Sequence, residues 1–213
     1  MKKLIFTVCA LCAGFGVHAQ NAWNVKGGLL MTKACDWNVA GSEMGVGMGG
    51  FLGAEYDFRL KNDAWSIAPG AEFSYETNGA KSLMLPVAGS SQMKETNAAW
   101  QSYYSLSIPV MFNYRHAITD RVGLRAGVGP YMQWQLGGRS EDVDGKKWNS
   151  FNQWTKAKDR VSVGLRAEIA VETGSHLSYA FSVKYAPRFE SSSFANGAYG
   201  NLLYFGLGVG YRF

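Results

Sequence analysis

Six residues match the spacing of a motif that binds dinucleotides. The stretch Gly45-Val46-Gly47-Met48-Gly49-Gly50 reads G-x-G-x-x-G. In a nucleotide site these glycines form a tight turn between a strand and a helix, so that the backbone can approach a pyrophosphate. Here they alternate with apolar residues inside a longer stretch of the same pattern, which favours a continuous strand. We therefore expect no nucleotide site and no cofactor, and we expect the glycines to leave room for arginine side chains on the same face.

A polar stretch at 137–159 carries both carboxylates and aromatic residues. Asp142-Val143-Asp144-Gly145 contains part of a calcium-loop pattern, but the remaining ligands of an EF-hand loop are missing. Because Asp-Gly pairs are typical of tight turns between strands, we expect Asp144 and Gly145 to turn a hairpin and to bind no metal. Beside four lysines of this stretch lie three aromatic residues: Trp148, Phe151 and Trp154. They fit a binding loop for a glycan, a protein or a lipid headgroup, and equally a solvated loop whose aromatic side chains pack on the rest of the molecule.

The amino terminus has the pattern of an export signal. Lys2 and Lys3 precede a short apolar run at 4–17, and Val17-His18-Ala19 is a cleavage site of the small-x-small type. We expect residues 1–19 to be removed as a signal peptide and residues 20–213 to form one domain. The two lysines leave with the leader and lower the formal net charge from +5 to about +3, too little to favour nucleic acid as a partner. Among the cysteines only Cys35 then remains, so the mature chain has no internal disulfide.

Eight segments of the mature chain alternate apolar and polar residues with the two-residue period of a β-strand. Most reach the ~9–11 residues that cross a bilayer at a tilt. The segments are Trp23–Met31, Gly45–Phe58, Ala64–Tyr75, Ser102–His116, Arg121–Leu136, Arg160–Glu172, Leu177–Tyr185 and Leu202–Phe213. Their connections alternate between short polar turns (60–63, 118–120, 173–176) and long stretches (32–44, 76–101, 137–159, 186–201). Short turns at one end and long loops at the other are typical of a membrane barrel.

The two faces of these segments differ in side-chain size. Between Arg160 and Glu172, for example, Val163 and Leu165 oppose Gly164 and Arg166. The interior of an eight-stranded barrel is just wide enough for side chains, so the large apolar residues of all eight strands cannot point inward as in a lipocalin. The sequence therefore predicts an all-β fold, an eight-stranded antiparallel transmembrane β-barrel with short periplasmic turns and longer extracellular loops.

Aromatic residues are sorted by height along the strands, as the two interfaces of a membrane require. Near the short turns lie Trp23, Tyr56, Phe58, Trp65, Tyr114, Tyr179, Tyr211 and Phe213. Near the long loops lie Phe73, Tyr75, Tyr104, Trp134, Tyr185 and Phe205. Three prolines interrupt the predicted strands, namely Pro69, Pro109 and Pro130. Because a closed barrel has no edge that would accept a proline, we expect local bulges there.

Charged residues recur on the face that carries small side chains, and inside a barrel they must be paired. They form a predicted lumen charge network of Lys26, Glu55, Asp57, Glu72, Arg115, Arg125, Arg166, Glu168, Glu172, Lys184 and Arg212. The network has two interpretations, a selective pore for small solutes or a plug of salt bridges that fixes strand register. Because an eight-stranded interior holds side chains and no channel, the plug is favoured.

The last strand and two internal motifs resemble a known family. Gly208, Tyr211 and the terminal Phe213 resemble the assembly signal of outer-membrane β-barrels, although Gly206 stands where that pattern prefers a polar residue. Ser107-Ile108-Pro109-Val110 and Gly127-Val128-Gly129-Pro130-Tyr131 resemble the porin-family outer membrane protein beta-barrel domain. The resemblance covers the mature chain. It implies a small OmpA/OmpX-like barrel of the bacterial outer membrane, with membrane lipid and the barrel assembly machinery as partners, and no defined substrate.

A lipid-modifying enzyme is the catalytic alternative, because some outer-membrane barrels carry a serine, a histidine and an acid near the outer leaflet. The mature chain has two histidines, His116 and His176, and both fall at the short-turn, periplasmic end. A serine nucleophile near the outer leaflet would therefore lack a base. We expect a non-enzymatic barrel with a structural or surface-interaction role, in which the loops at 76–101 and 137–159 contact an extracellular glycan or protein.

Overall fold

A computed structural model describes the strands of the molecule and most of the turns at one end. It describes residues 22–34, 43–44, 46–60, 64–86, 93–97, 100–141, 147–148, 161–174, 176–186 and 202–213. The regular structure within these ranges is strand throughout, and none of it is a helix that could span a membrane. The predicted all-β class is confirmed.

The described residues form eleven strands in chain order, eight long and three short. They are β1 (Ala22–Ala34), β2 (Glu43–Met44), β3 (Gly47–Arg59), β4 (Trp65–Pro86), β5 (Met93–Asn97), β6 (Trp100–Thr119), β7 (Val122–Glu141), β8 (Lys147–Trp148), β9 (Val161–Thr173), β10 (Leu177–Ala186) and β11 (Leu202–Arg212). The short strands are β2, β5 and β8, and each of the other eight overlaps one of the eight predicted segments.

The long strands form a closed ring. Each pairs antiparallel with the next long strand along the chain, and β11 pairs with β1. The closing ladder runs without interruption from Asn24 opposite Arg212 to Ala34 opposite Leu202. The prediction of an eight-stranded antiparallel barrel is therefore confirmed.

Side chains alternate between the two sides of the wall. On β9, Leu165 and Ile169 are 60% and 57% exposed, whereas Arg166 and Glu168 are 1% and 4% exposed. Large apolar residues of every long strand lie on the outer side, and the buried side carries most of the polar and charged residues. This is the facing that the volume argument predicts, and it is the reverse of a soluble barrel.

The predicted aromatic girdles lie on the outer side. At the short-turn end, the rings of Trp23 and Tyr56 have centroids 5.0 Å apart, and those of Trp65 and Tyr114 are 4.9 Å apart. At the other end, Tyr75 and Tyr104 are in contact across β4 and β6, at 5.0 Å. These cross-strand ring pairs stabilise neighbouring strands at the two heights for which the sequence predicts the girdles.

Two of the three predicted short turns are described, between β6 and β7 and between β9 and β10, and residues 61–63 of the third lie outside the described residues. Between β6 and β7, Thr119 Oγ1 accepts hydrogen bonds from the backbone N–H groups of Arg121 and Val122, at 3.3 and 3.1 Å. Between β9 and β10, His176 adopts a left-handed conformation with φ of 69°. His176 is thus a turn residue, as the sequence suggests, and His116 lies exposed near the end of β6.

Three strands continue well past the length that crosses a bilayer. β4 has 22 residues and β6 and β7 have 20 each, compared with the ~9–11 that suffice. Their outer parts pair further: β2 and β5 flank the end of β4, and β8 pairs with the end of β7. The expectation of loops at 32–44, 76–101 and 137–159 is therefore wrong in part, because the backbone ladder continues after the apolar alternation has ended. Strands cover 32–34, 43–44, 76–86, 93–97, 100–101, 137–141 and 147–148. The Asp144-Gly145 turn itself lies outside the described residues.

The expectation of bulges at the prolines is also wrong. The pairs Glu55–Gly70 and Phe58–Ile67 keep one register across Pro69, and the pairs around Pro109 and Pro130 do likewise. Each proline removes one N–H group from the ladder without the insertion of a residue. The described ladder of β6 against β7 shifts register at two other places. One lies between Tyr104 and Ser105, where Leu136 is the extra residue, and the other lies between Ala117 and Thr119, where Ile118 is the extra residue.

Candidate functional site

Residues of the predicted network form three layers of charged side chains in the lumen of the barrel. In the middle layer, Lys26 Nζ lies 2.6 Å from Glu55 Oε2 and 3.2 Å from Glu168 Oε2. Arg125 bridges the same two carboxylates from the other side, at 2.8 and 2.9 Å. These four residues come from four strands (β1, β3, β7 and β9), and each is less than 8% exposed. Two cations therefore neutralise two carboxylates across the full width of the lumen.

The next layer toward the long loops is built on Glu72. Its carboxylate accepts hydrogen bonds from Arg166 and from Lys184, both at 2.7 Å. Arg166 also donates to Glu168 at 2.6 Å, which joins this layer to the middle one. The Lys184 ammonium lies 5.9 Å and 5.5 Å from the ring centroids of Tyr131 and Tyr204, so that two aromatic rings partly cover it.

The layer nearest the short turns is centred on Arg115. Its guanidinium contacts Asp57 at 2.6 Å and Glu172 at 3.0 Å. Arg212 lies at the edge of this layer, 4.0 Å from Glu172, with 32% of its side chain exposed. A half-open cavity of about 450 Å³ lies against these residues at the short-turn end, and we call it the mouth.

The structure adds one carboxylate that the sequence argument missed. Glu76 is 2% exposed and lies one residue beyond the predicted end of its strand, Tyr75. It is hydrogen-bonded to Thr32, Ser105 and Gln133, at 3.2 to 3.4 Å. The two-residue period of Glu72, Ser74 and Glu76 is the signal that would have found it, but the outer face of β4 ceases to be apolar at Thr77.

The glycines of β11 make room for the ring of Phe51 and for two serine hydroxyls. The buried ring of Phe51 lies over Gly208, where an added Cβ would come within 2.8 Å of Phe51 Cζ. Gly206 and Gly210 lie in the same way beneath the hydroxyls of Ser182 and Ser178. The G-x-G-x-x-G stretch lies within β3 from Gly47 onward, so these glycines form a strand and not the turn of a nucleotide site.

Two groups of predicted site residues remain, the assembly signal and the loop aromatic residues. Gly208 and Tyr211 lie in β11, and the backbone N–H of Phe213 donates to the carbonyl of Trp23 at 2.9 Å. Of the three loop aromatics, Trp148 ends β8, and Phe151 and Trp154 lie outside the described residues.

One family model matches almost the whole chain. It is described as "Outer membrane protein beta-barrel domain" and matches residues 7–213. No curated protein matches the chain.

Several solved structures are similar in their general architecture. OprG from Pseudomonas aeruginosa is 14% identical over 92% of this chain and 97% of its own, with a TM-score of 0.48. Ail from Yersinia pestis, in complex with the heparin analogue sucrose octasulfate, is 16% identical over 91% and 97%, with a TM-score of 0.40. The outer membrane enzyme PagL is 11% identical over 90% and 98%, with a TM-score of 0.45. At these identities and TM-scores the likeness carries no functional information.

Proposed function

The chain belongs to the outer membrane protein beta-barrel domain family, and from this membership we propose that it is a non-enzymatic barrel of the bacterial outer membrane, closed to solutes, with a structural and surface-interaction role. The observation that carries the proposal is the filled lumen. Arg166, Glu72, Glu55 and Glu168 are 1–4% exposed, although they lie on the inner side of the wall. Residues that line an open channel contact water, and these side chains contact one another.

The ion pairs also suit a structural role. The network joins β1, β3, β4, β7, β9 and β10 through contacts between residues that are up to 142 positions apart in the chain. Since each charge is satisfied in one register only, a slipped strand would leave a buried charge unpaired. The network therefore supports a plug that fixes register, and a narrow pore is the alternative.

Conductance in planar bilayers tests the closed lumen. We expect no steady openings from the wild-type barrel over a range of voltages. The double variant Glu72→Ala/Arg166→Ala removes an acid and a base together, so we expect it to conduct. The matched control Val163→Ala/Leu165→Ala changes the outer face of β9 and is expected to stay closed. Steady wild-type openings of nanosiemens scale would establish the pore instead.

The surface role is supported by the strands that continue past the apolar band. β4, β6 and β7 carry the wall outward, and β2, β5 and β8 widen it. These strands carry part of the stretches 76–101 and 137–159 beyond the apolar band, and we propose that the two stretches contact an extracellular glycan or protein. The lysines beside Trp148, Phe151 and Trp154 favour an anionic glycan.

Binding to an array of sulphated and neutral glycans tests the surface role, with cells that display the chain. The variant Trp148→Ala/Phe151→Ala/Trp154→Ala is expected to lose binding to sulphated glycans. The control Asn149→Ala/Asn152→Ala alters the same loop, keeps its aromatic residues, and should retain binding. If both variants bind sulphated glycans equally, the three aromatic residues do not contribute to glycan binding.

The histidines argue against lipid chemistry at the outer leaflet. Within the described ranges, His116 and His176 both lie at the short-turn end. A hydrolase of lipid A would need its base at the opposite end of the barrel. We expect a His116→Ala variant to leave the lipid A of the host cell unchanged by mass spectrometry, compared with the wild-type chain. Deacylation of lipid A that depends on His116 would show that the chain is a lipid-modifying enzyme.

A further inference from the structure

The ladder between β1 and β11 closes the ring, and we call it the seam. Three successive lumen-facing positions of β11 are glycines, namely Gly206, Gly208 and Gly210. Over these positions β11 has no side chain of its own that could contact β1 on the lumen side. Glycine within a strand weakens it for this reason. The seam therefore depends on its backbone hydrogen bonds and on side chains that other strands supply.

The ring of Phe51 supplies such a contact from a third strand. Phe51 in β3, Gly28 in β1 and Gly208 in β11 lie opposite one another in one cross-strand row. No side chain fits at Gly28, because an added Cβ would lie 2.6 Å from the Cα of Gly208. The Phe51 ring therefore extends across β1 to β11. An added Cβ would lie 2.8 Å from its Cζ at Gly208 and 3.8 Å from its Cε1 at Gly206.

The position of this ring does not depend on the seam itself. β3 pairs with β1 on one side and with β4 on the other, and Phe51 is 8% exposed on the lumen side. When β11 separates from β1, the ring loses its contact with the glycines of β11, and aromatic side chains contribute large apolar areas to such contacts. Ladders on the opposite side of the ring, such as that between β6 and β7, do not involve Phe51.

We propose that Phe51 holds the seam closed. Its ring restrains β11 against β1 from the lumen side, and it sets how often the seam opens in the folded barrel. The ladders on the opposite side of the ring are independent of it. This role is separate from the proposed closure to solutes, which rests on the charged layers, and from the proposed surface role.

Hydrogen exchange of the full-length barrel in detergent micelles, resolved by NMR, tests the proposal. In Phe51→Ala, we expect the amide groups that β1 and β11 donate to each other to exchange at least about tenfold faster, and those between β6 and β7 to change less than about threefold. Phe51→Leu keeps an apolar side chain without the ring. It should show the same selectivity with a smaller change, and it serves if Phe51→Ala does not fold. Heat-modifiable gel mobility verifies that each variant is folded.

Met111 provides a matched control away from the seam. It lies in β6, is 1% exposed on the lumen side, and its Cε is 3.5 Å from an added Cβ at Gly127 in β7. Met111→Ala therefore removes a buried apolar side chain that also covers a glycine of a neighbouring strand. It should speed exchange between β6 and β7 and leave the seam unchanged.

A disulfide across the seam separates strand opening from simple entry of water. In a Cys35→Ser background, Leu29→Cys and Leu207→Cys are direct partners on the outer side of the seam, and oxidation should lock it. In the locked barrel, Phe51→Ala should no longer speed exchange at the seam. The proposal is overturned if Phe51→Ala and Phe51→Leu speed exchange in all ladders alike, if they leave the seam unchanged, or if the faster exchange persists after locking.

Discussion

At the scale of single residues, the lumen depends on carboxylates that each serve more than one cation. Glu72 holds both Arg166 and Lys184, and Glu168 holds Lys26, Arg125 and Arg166. Loss of one such carboxylate leaves buried cations without a counter-charge, which costs more than the intact pair contributes. The first two predictions concern such single side chains.

The variant Glu72→Ala is expected to lower the free energy of unfolding by about 3–5 kcal/mol, because it leaves Lys184 buried without a carboxylate within salt-bridge distance among the described residues. Urea unfolding of the folded barrel in lipid vesicles measures the change. The double variant Glu72→Ala/Lys184→Met removes the orphan charge as well and should recover part of the loss. If the double variant is as unstable as the two single changes added together, the pair is not coupled.

The variant Gly208→Ala is expected to destabilise the barrel by about 1–3 kcal/mol, because its Cβ would come within 2.8 Å of the Phe51 ring. Gly137→Ala is the matched control, since no atom lies within 4 Å of a Cβ at that position, and it should be near neutral. Phe51→Leu should suppress the effect of Gly208→Ala. If it does not, the importance of Gly208 lies in recognition by the assembly machinery and not in packing.

At the scale of strands, the wall is longer than its apolar band. The ladder between β4 and β6 continues past the Tyr75–Tyr104 pair to Gly79 opposite Trp100. Hydrogen bonds of the backbone do not require apolar side chains once the strands are already paired. The strands therefore keep the same register in the part of the wall that extends beyond the apolar band.

A designed disulfide tests this register. In a Cys35→Ser background, Thr77→Cys/Ser102→Cys places two cysteines directly opposite, and they should cross-link spontaneously. Thr77→Cys/Tyr103→Cys moves one cysteine to the neighbouring position on the opposite face, and it should remain reduced. Gel mobility with and without reductant shows whether each cysteine pair has cross-linked. Equal cross-linking of the two pairs would mean that this stretch is a loop.

The sequence predicts the strands better than the contacts between them, for a physical reason. The alternation from Val161 to Val171 shows which side of β9 faces the lumen, so the inward position of Arg166 and Glu168 is predictable. It does not show their height relative to other strands, because that depends on the stagger around the ring. The contact of Lys26 with Glu168 therefore appears only in the structure. Glu76 was missed because apolar alternation ends before the backbone pairing does.

At the scale of the whole molecule, membership of the family and closure of the ring predict how the protein migrates on a denaturing gel. In outer-membrane fractions, unheated chain should migrate differently from boiled chain on a denaturing gel, because the closed barrel resists detergent until it is heated. The ladder between β1 and β11 closes the ring that heating must open. Recovery of the folded chain from the soluble periplasm would contradict the architecture. A mature chain that begins at a residue other than Gln20 would show that the predicted cleavage site after Ala19 is wrong.

The pairing of β1 with β11 has a further consequence for the life of the chain before it is inserted. These strands stand at opposite ends of the sequence, so each keeps a bare row of N–H and C=O groups, beside an apolar face, until synthesis and export are complete. In water, two such edges are templates for aggregation. We expect the unfolded chain to need a periplasmic chaperone that shields both ends. The closed ring has no free strand edge, so we expect it not to associate edge to edge.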